Sequence, residues 1–353
     1  MIQIQLLSPQ DSKLLSLQTP EQVYFAASVR SGHSVPADQQ LDWLNLVRSQ
    51  KKDCSLPREV LFTWTCSGGT LAKAELQCAE DPGFTVGRLV FPAAKSNRSA
   101  YAHSLKTGTV YYWRVAGYDQ DGKAAVSPVR TFRTAPEAPR WVRADGVSNV
   151  RDCGAWTTKS GKTVKQGLLY RGGEMNLHMN ISPDGVRFLD RQLGIRTILD
   201  FRNENELGRL GGKGSAMPRH VRWINLPIYA YDGIFEAPGP ENCAKALRLL
   251  ISRVNIPLYF HCWGGADRTG SFAFLIGALL GVEEESLFLD YELTSLSIWG
   301  ERSRTSDFFL PFKLKLAQFA PRKSLEEQAA AFFKSGGITD GEIETFKSIY
   351  LEE

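Results

Sequence analysis

The pattern of apolar and polar positions changes character near residue 135. Before that point, short stretches rich in aromatic and β-branched residues are separated by polar turns, most clearly at 58–64, 110–118 and 129–134. Stretches of this kind predict β-strands. A polar, glycine-containing turn at 119–123 predicts that the second and third of them form a hairpin. The first third of the chain is therefore predicted to be mainly β.

One segment of this β-rich part is predicted to be helical. Leu41, Leu44 and Val47 recur at helical spacing within 36–50, which would be an unusual insertion for a sheet domain. The β-rich part ends at Ala135-Pro136-Glu137-Ala138-Pro139, where two prolines in five residues stop both neighbouring elements. We therefore predict a first domain at 1–134, a linker at 135–140 and a second domain at 141–353.

Strand-like and helix-like stretches alternate in the second domain. The predicted strands are 195–201, 221–226 and 258–261, and the predicted helices are 182–193, 243–254, 271–280 and two late ones that begin at Ser324 and Thr339. A serine or threonine followed three residues later by glutamate opens each late helix. Alternation of this kind predicts an α/β domain with a central, mostly parallel sheet flanked by helices. A ligand site is expected at the carboxyl ends of its strands.

The most informative chemistry of the chain lies at His261-Cys262-Trp263-Gly264-Gly265-Ala266-Asp267-Arg268-Thr269-Gly270. This stretch connects a predicted strand to a predicted helix and places a cysteine six positions before an arginine. Such a turn aims successive backbone N–H groups at one point, where the helix N-terminus adds positive charge. The spacing therefore predicts a phosphate-binding loop that consists of Trp263, Gly264, Gly265, Ala266, Asp267 and Arg268.

The side chains of this loop fit nucleophilic catalysis on phosphorus. Arg268 can bind two phosphate oxygens at once, and the positive field favours the thiolate form of Cys262. The thiolate is expected to attack phosphorus and to form a phosphocysteine that water hydrolyses. Thr269 is expected to donate its hydroxyl to the sulfur, and His261 to position the loop. The alternative is that Cys262 is a small buried residue without chemistry.

Two other kinds of site fit this region poorly. No second Cys/His pair stands at ligand spacing near the loop, which disfavours a zinc site. The glycine- and lysine-containing stretch at 211–215 lacks the Gly-Lys-Ser/Thr order of a nucleotide-binding loop. The predicted chemistry requires no cofactor and no metal.

With these residues in view, the sequence resembles the protein tyrosine phosphatase superfamily, whose signature is His-Cys-x5-Arg-Ser/Thr. It is most similar to the bacterial tyrosine and dual-specificity-like branch, and the likeness extends over residues 140–353 through the segments 149–154, 169–174 and 193–202. The resemblance implies hydrolysis of phosphotyrosine, with inositol phosphates or phosphoinositides as the alternative. Lipid-active members carry a lysine where this chain has Ala266, which disfavours highly charged inositol substrates.

A second resemblance concerns the first domain. Residues 105–134 are similar to the last strands of fibronectin type III and related Ig-like domains. The resemblance implies a β-sandwich ahead of the phosphatase-like domain. Such a domain is a candidate for binding a protein or a glycan.

Two aspartates are candidates for the general acid that protonates the leaving oxygen, a role worth typically about 10²–10⁴-fold in rate. Asp232 lies in a Tyr-Asp-Gly loop ahead of the helix that precedes the nucleophile strand, and the mobile acid loop of the superfamily occupies a similar place. The alternative role for Asp232 is that of an ordinary turn residue. Asp267, inside the phosphate loop, is the acid proposed for some bacterial relatives, and its alternative is to orient the loop.

Other side chains are expected to support the site. Asp200 and Arg202 end a predicted strand and are expected to brace the loop, and Arg151, Asp152 and Arg171 are expected to form structural ion pairs around it. Aromatic residues nearby are candidates for stacking on a substrate ring: Tyr229, Tyr231 and Trp263.

Composition narrows the possible partners. The 353 residues carry a net charge of +4 and 43% hydrophobic content, a mildly basic balance that suits an anionic substrate. Without Lys/Arg blocks or a recognition motif, no nucleic-acid partner is predicted. No apolar run reaches about 18–20 residues, so no transmembrane segment is predicted.

Cysteine usage and the N-terminus bear on the compartment. Six cysteines are sparse for a disulfide scaffold. Free thiols are expected, with a bridge among Cys54, Cys66 and Cys78 or a Cys153–Cys262 redox pair as alternatives. The N-terminus as given shows no signal-peptide pattern. We expect an exported protein, periplasmic or secreted, with a cytoplasmic location as the alternative.

Three functions compete on this sequence. The first is a phosphatase that acts through Cys262, the second is an inactive phosphate-binding module, and the third is a sulfurtransferase, whose loop also begins with cysteine. The presence of both Cys262 and Arg268 argues against an inactive module. The His-Cys beginning and the Arg-Thr-Gly end of the loop argue against a sulfurtransferase.

Overall fold

Contacts divide the chain into two units that are not continuous in sequence. The computed structural model describes residues 2–30, 52–211 and 214–353. The first unit contains residues 1–18 and 57–140, and the second contains 19–56 and 141–353. The predicted first domain, 1–134, therefore includes a segment, 19–56, that belongs to the second unit. The helix predicted at 36–50 lies outside the described residues.

The first unit contains two β-sheets. Its strands are β1 (Gln3–Ser8), β2 (Lys13–Leu15), β3 (Val60–Ser67), β4 (Lys73–Ala79), β5 (Leu89–Pro92), β6 (Ser99–Ala102), β7 (Val110–Tyr118), β8 (Ala124–Val126) and β9 (Arg130–Thr134). One sheet has the order β1-β3-β6, and the other has the order β2-β9-β7-β4-β5 with β8 also paired to β7. The predicted antiparallel pairing of 110–118 with 129–134 is confirmed in β7 and β9, but the turn at 119–123 leads first into β8, which also pairs with β7.

Aromatic side chains connect the two sheets of this unit. In β7 every second side chain from Tyr111 onwards is buried, the period-two pattern of a strand with one covered face. Its Trp113 contacts Phe62 of β3 at 4.9 Å between ring centroids, and Phe62 also contacts Phe132 of β9 at 5.4 Å. These fully buried rings form the core of the first unit.

The second unit contains one five-stranded sheet. Its strands are β10 (Arg151–Asp152), β11 (Leu169–Gly172), β12 (Thr197–Asp200), β13 (Arg222–Asn225) and β14 (Leu258–His261), in the order β10-β11-β14-β12-β13. The three pairings among β11, β14, β12 and β13 are parallel, whereas β10 pairs antiparallel with β11. The predicted mostly parallel sheet is therefore corrected to a mixed sheet, because the short β10 returns along its edge.

Helices precede, separate and follow the strands of this sheet along the chain. They are α1 (Pro20–Arg30), α2 (Pro183–Arg187), α3 (Glu204–Gly208), α4 (Gly239–Ile251), α5 (Asp267–Leu279), α6 (Glu284–Glu292), α7 (Phe309–Phe319), α8 (Leu325–Ser335) and α9 (Asp340–Tyr350). A π-helix follows α2 at Phe188–Gln192, and 3₁₀ turns occur at Tyr231–Phe235, Arg253–Asn255 and Leu293–Leu296. The predicted caps are confirmed, since Ser182 caps α2 and capping boxes open α8 and α9. No helix in these described ranges is long and apolar enough to cross a membrane.

Helix α5 lies in the core of the second unit. Ten of its thirteen residues are buried, and a helix that is apolar on all sides is typical of a core position. Phe274 of α5 contacts Phe309 and Phe312 of α7 at 5.3 and 5.7 Å between ring centroids. Because α5 is fixed from all sides, its N-terminus has a defined place at the end of β14.

Candidate active site

The loop between β14 and α5 lies at the edge of the sheet where the parallel strands end. His261, the last residue of β14, is in register with Gly172 of β11 and Asp200 of β12. The segments that follow β11 and β12 therefore lie beside residues 262–266. This is the position in which sheets of this kind present ligand sites.

The backbone carbonyls of residues 262–265 are held from outside the loop. The Cys262 carbonyl accepts a hydrogen bond from His261 Nδ1 at 2.8 Å, and the Trp263 carbonyl accepts one from the Glu174 backbone N–H at 2.8 Å. The Gly264 carbonyl accepts from Asn149 Nδ2 at 3.0 Å, and the Gly265 carbonyl accepts from Arg171 Nη2 at 2.9 Å. A trans peptide is planar, so each carbonyl points opposite to the N–H of the next residue. The N–H groups of residues 263–266 therefore turn towards the other side of the loop. In the described part of the chain, none of these four groups donates to a protein acceptor.

Close packing explains why glycine occupies two positions of this loop. Gly265 has a φ of +65°, and a Cβ there would lie 2.2 Å from the Gly172 carbonyl oxygen. A Cβ on Gly264 would lie 2.9 Å from the indole of Trp299. Larger residues would push the loop away from the strands and from Trp299, and the N–H groups would lose their common direction.

Arg268 is oriented by a carboxylate that the sequence did not predict. Its Nη1 and Nη2 donate to the two oxygens of Glu206 at 2.6 and 2.7 Å. Such a bidentate pair fixes the guanidinium plane and leaves the Nε edge for a second acceptor. Burial lowers the pKa of Arg268, but Glu206 and the Cys262 sulfur outweigh it, so the net pKa is raised and the cation is held.

Cys262 lies at the beginning of the loop, with 3% of its surface exposed. The guanidinium of Arg268 is near enough to this sulfur for Cys262 to contribute to the raised pKa of Arg268. No charged neighbour acts on two other buried cysteines, Cys78 and Cys243, whose pKa values are raised by burial alone. Cys262 is thus a buried thiol with a cation beside it, whereas Cys78 and Cys243 are ordinary core residues. All six cysteines are free thiols, as expected from the sequence.

A buried network braces the base of the loop. His261 Nδ1 donates to the Cys262 carbonyl, and its Nε2 lies 3.8 Å from Asp200. Burial lowers the pKa of His261 more than the neighbouring Asp200 raises it, so the neutral ring carries its proton on Nδ1. Asp200 in turn binds Arg202 at 2.7 Å, and Arg202 binds Glu174 at 2.9 Å. These contacts fit the bracing role predicted for His261, Asp200 and Arg202.

Two buried arginines behind the loop share one carboxylate. Arg151 Nε and Arg171 Nη1 donate to the two oxygens of Asp290 at 2.7 and 2.6 Å. Burial would raise the pKa of Asp290, but the two guanidinium charges outweigh it and hold that pKa below its usual value. The predicted ion pairs of Arg151 and Arg171 are confirmed, with a partner on α6. Asp152 accepts the N–H groups of Gly154 and Gly167.

Asp267 is tied to two partners that hold it in its ionised form. Its carboxylate accepts two hydrogen bonds from Arg302, at 2.7 and 2.9 Å, and a very short one from the Tyr231 hydroxyl. Burial would raise the pKa of Asp267, but the hydrogen bonds and charge of Arg302 lower it on balance. A carboxylate in this setting is a poor proton donor. The geometry therefore favours the orienting role over the acid role.

Asp232 lies in the 3₁₀ turn beside the beginning of α5. The N–H of its neighbour Tyr231 donates to Ser271 Oγ of α5 at 3.1 Å, which anchors this turn near the loop. One oxygen of Asp232 lies 3.1 Å from Lys315, and the other is buried without a hydrogen-bond partner in the described structure. Asp232 therefore keeps one oxygen free, in contrast to Asp267.

The remaining predicted residues show mixed outcomes. The Thr269 hydroxyl is buried and has no hydrogen-bond partner among the described residues, so the expected bond to the Cys262 sulfur is absent there. The Trp263 ring stacks on His178 at 3.7 Å between ring centroids. Tyr229 is largely exposed, whereas Tyr231 is engaged with Asp267 and Tyr291. Ala266 is buried and ends the loop ahead of α5.

Sequence reasoning missed several residues of this site. Glu206, Asp290 and Arg302 lie 62, 139 and 35 residues from the arginine or carboxylate that each one binds. Only Glu206 had a local signal, because Asn203 and Glu206 form a capping box at α3. That signal places a helix, not a contact with Arg268. In the described ranges no cluster of three or more His, Cys, Asp or Glu residues could hold a metal ion.

Comparison with known sequences decides the family. A profile described as the tyrosine phosphatase family matches residues 142–352, more than half of the chain. The chain belongs to this tyrosine phosphatase family. The match includes the whole β14–α5 loop and the residues that hold its carbonyls, which are Asn149, Arg171, Glu174 and His261.

One curated relative of this tyrosine phosphatase family member is distant in sequence. A curated protein of Cupriavidus necator, named as a candidate tyrosine-protein phosphatase, is 28% identical over 173 residues. That match covers 42% of this chain and 60% of the relative, so the chain spans less than two thirds of the relative's length.

Two solved structures show a weak likeness to this phosphatase family member. The core catalytic domain of the PP-IP phosphatase SIW14 from S. cerevisiae, in complex with citrate, is 17% identical with a TM-score of 0.29, and the match covers 44% of this chain and 90% of that one. A structure of the Siw14 catalytic core is 18% identical with a TM-score of 0.27, and the match covers 52% and 89%. Likeness at this level carries no weight for function.

Proposed function

We propose that the protein hydrolyses phosphate monoesters through a phosphocysteine intermediate on Cys262, with protein phosphotyrosine as the substrate. One observation carries this proposal. Four consecutive carbonyls of the loop are held from outside, so four N–H groups turn to the opposite side without a protein acceptor among the described residues. Arg268 adds a fixed cation next to the Cys262 sulfur. This combination of thiol, amides and guanidinium fits a phosphoryl dianion.

The first chemical step forms a sulfur–phosphorus bond and breaks the ester bond. The loop amides and the Nε edge of Arg268 bind the three non-bridging oxygens, whose charge is spread in the transition state. The Cys262 thiolate attacks phosphorus in line with the leaving oxygen, which takes a proton from a general acid and leaves as the alcohol. In the second step water attacks the phosphocysteine, inorganic phosphate leaves, and the thiolate is regenerated.

Asp232 is our proposed general acid, and Asp267 is our proposed positioning residue. Asp267 is held in its ionised form by Arg302 and Tyr231. One oxygen of Asp232 has no hydrogen-bond partner among the described residues, and the turn that carries Asp232 is anchored to α5 through Ser271. The acid must protonate a phenolate-like leaving group, so its removal matters most for substrates with basic leaving groups.

Phosphotyrosine is favoured among the phosphate esters by the surroundings of the loop. Trp263 directly follows the nucleophile, and Trp299 packs against Gly264. Two indole rings beside the loop suit a substrate that carries its phosphate on an aromatic ring. The name of the Cupriavidus necator relative, a tyrosine-protein phosphatase candidate, agrees with this choice.

The test compares the wild type with Cys262→Ser on p-nitrophenyl phosphate and on a phosphotyrosyl peptide. Serine keeps the size of the side chain but removes the thiolate, so turnover of both substrates is expected to fall by at least about a thousandfold. Cys243→Ser, at a buried cysteine outside the loop, is the matched control and is expected to keep its rate. Hydrolysis that survives in Cys262→Ser would refute the proposed nucleophile. A wild type that hydrolyses neither substrate would favour an inactive phosphate-binding module.

We propose further that the first unit is a β-sandwich of the fibronectin III or Ig-like class that binds a protein or glycan partner, in an exported enzyme. Its two sheets share a core that includes Phe62, Trp113 and Phe132, and sheets packed in this way leave their outer faces to solvent. A glycan array probed with the full chain tests the glycan partner. Binding that a mutated surface of the first unit abolishes supports the proposal, and a blank array excludes a glycan partner.

A further inference from the structure

Residues 52–56, which lie between α1 and β3 in the sequence, are hydrogen-bonded to a residue that supports the phosphate loop. Residues 52–56 belong to the second unit. The Cys54 N–H donates to the Leu296 carbonyl at 2.8 Å. The buried side chain of Gln22, in α1, donates to the carbonyls of Cys54 and Leu56 at 2.9 and 2.8 Å. The segment is therefore held on both sides by hydrogen bonds within the second unit.

The Ser55 hydroxyl is oriented by this segment. It donates to Asp53 Oδ1 at 2.5 Å, so its single hydrogen is engaged. Its oxygen then accepts the backbone N–H of Asn149 at 2.8 Å. Ser55 and Asn149 are both essentially inaccessible to water. Without this acceptor the Asn149 N–H would be buried and unsatisfied, which proteins rarely tolerate.

Asn149 passes this orientation to the phosphate loop. Its backbone is in the left-handed region, with a φ of +65°, so its conformation depends on its partners. Its Oδ1 accepts from Arg151 Nη1 at 2.5 Å, and its Nδ2 donates to the Gly264 carbonyl at 3.0 Å. These two bonds leave only one orientation of the amide. The Gly264 carbonyl is one of the four held carbonyls whose orientation turns the loop N–H groups towards the ligand side.

We propose that Ser55 is a positioning residue of the phosphate site, which it reaches through Asn149 and Gly264. The inference rests on the proposed function and adds to it a residue outside the region that the family profile matches, 142–352. The oxyanion-binding site of this chain is then completed by residues 52–56, which lie between α1 and β3 in the sequence. A loop that shifts by a fraction of an ångström loses rate and anion affinity together.

The test replaces Ser55 by alanine in the full chain and measures two quantities. These are kcat/KM for p-nitrophenyl phosphate and the inhibition constant of orthovanadate, which probes the oxyanion site without turnover. Ser55→Ala is expected to lower kcat/KM about tenfold and to raise the vanadate constant by a similar factor, at a temperature where the protein is folded. Unchanged values of both quantities in a folded Ser55→Ala protein would overturn the inference.

Thr158→Ala is the matched control for the loss of a buried hydroxyl. Thr158 Oγ1 bonds the N–H and the carbonyl of Lys162 at 3.0 Å each. Thr158 forms a β-bridge with Val282, which follows the C-terminal end of α5. The phosphate loop lies at the opposite end of this helix, which is about 20 Å long, so Thr158 is remote from the loop. This variant is expected to lose stability and to keep its vanadate constant within about twofold. An equal loss of vanadate affinity in both variants would reduce Ser55 to an ordinary structural residue and overturn the proposal.

A second variant covers the case in which Ser55→Ala does not fold. Asp53→Ala removes the acceptor that orients the Ser55 hydroxyl, and Asp53 is less deeply buried. It is expected to raise the vanadate constant severalfold, and an unchanged constant would contradict the inference. The failure of the function is recognised separately: a wild type without Cys262-dependent hydrolysis refutes the phosphatase, whereas vanadate binding still reports on the role of Ser55.

Discussion

At the scale of single residues, the site depends on charged side chains that are held by fixed partners of opposite charge. Arg268 is held by Glu206, Asp267 by Arg302, and Arg202 by Asp200 and Glu174. Pairs of this kind set geometry more than they add stability, because burying them costs desolvation. Removal of one partner is therefore expected to disturb the geometry of the site, and where the pair is fully buried it also lowers stability, because the other charge is left unpaired.

Replacement of Glu206 by glutamine tests this at the phosphate-binding arginine. Glutamine offers one acceptor oxygen instead of two, so the bidentate pair with Arg268 is lost. We expect kcat/KM for p-nitrophenyl phosphate to fall about tenfold or more, with weaker vanadate inhibition. Glu344→Gln, on the exposed face of α9, serves as the control. Equal kinetics in the two variants would show that Arg268 is oriented without Glu206.

The two candidate acids are separated by leaving-group dependence. Asp232→Asn is expected to lower kcat for a phosphotyrosyl peptide by about 10²–10⁴-fold and to lower it much less for p-nitrophenyl phosphate, whose leaving group needs less protonation. Asp267→Asn is expected to lower both rates by similar factors, because it disturbs the loop rather than the proton transfer. Steady-state kinetics on the two substrates gives the ratio. The reverse pattern would make Asp267 the acid.

At the scale of elements, the junction of β14 and α5 was predictable and its supports were not. The sequence placed the strand at 258–261 as observed and the helix within a few residues of its true beginning at Asp267. Local pattern fixes such elements because turn residues and periodicity act over short distances. The antiparallel edge strand β10, with two residues, carries no periodicity and was missed.

Contacts across the sequence could not be predicted in the same way. Asn149, Glu174 and Arg171 each hold one loop carbonyl from about 90 to 115 positions away. Such partners are set by strand order and register, which a single sequence does not specify. The resemblance singled out the segments that contain these residues, but it did not say which atom each one holds. The membership of 19–56 in the second unit also had no local signal.

Asp290 connects helix α6 to β10 and β11, and its titration gives a pH-dependent prediction. Its pKa is lowered in the folded state by Arg151 and Arg171. The resulting stability is fully present above the unfolded-state pKa, about 3.9, and is lost as the pH falls through the folded value. Asp290→Asn is expected to lower the free energy of unfolding at pH 7 by about 3–5 kcal/mol and to flatten its decrease below pH 4. Urea unfolding at pH 7 and pH 3.5 measures both, and an unchanged slope in the variant would contradict this role.

At the scale of the whole molecule, the chemistry is concentrated in the second unit. The phosphate loop, its four carbonyl anchors and the candidate acids all belong to residues 19–56 and 141–353. The first unit is interleaved with it in sequence, since the chain enters the first unit, crosses into the second and returns. A truncation at residue 141 would therefore remove Ser55 and α1 from the second unit.

Metal chelation tests whether the protein alone supplies the positive charge that the phosphoryl group requires. In the proposed mechanism Arg268 and the loop N–H groups supply the positive charge that the phosphoryl oxygens require. Prolonged treatment with EDTA is therefore expected to leave kcat for p-nitrophenyl phosphate unchanged, measured against an untreated sample. A loss that added Mg²⁺ or Zn²⁺ restores would show that a metal ion contributes charge that this mechanism assigns to the protein.

The most direct test of the central claim is rapid-quench mass spectrometry of the enzyme during turnover of p-nitrophenyl phosphate. The account predicts a transient phosphoryl group that maps to Cys262, together with a burst of nitrophenol of one equivalent per enzyme where the second step is slower. Neither is expected in Cys262→Ser. A phosphoryl group on another side chain, or turnover in Cys262→Ser at the wild-type rate, would contradict the claim.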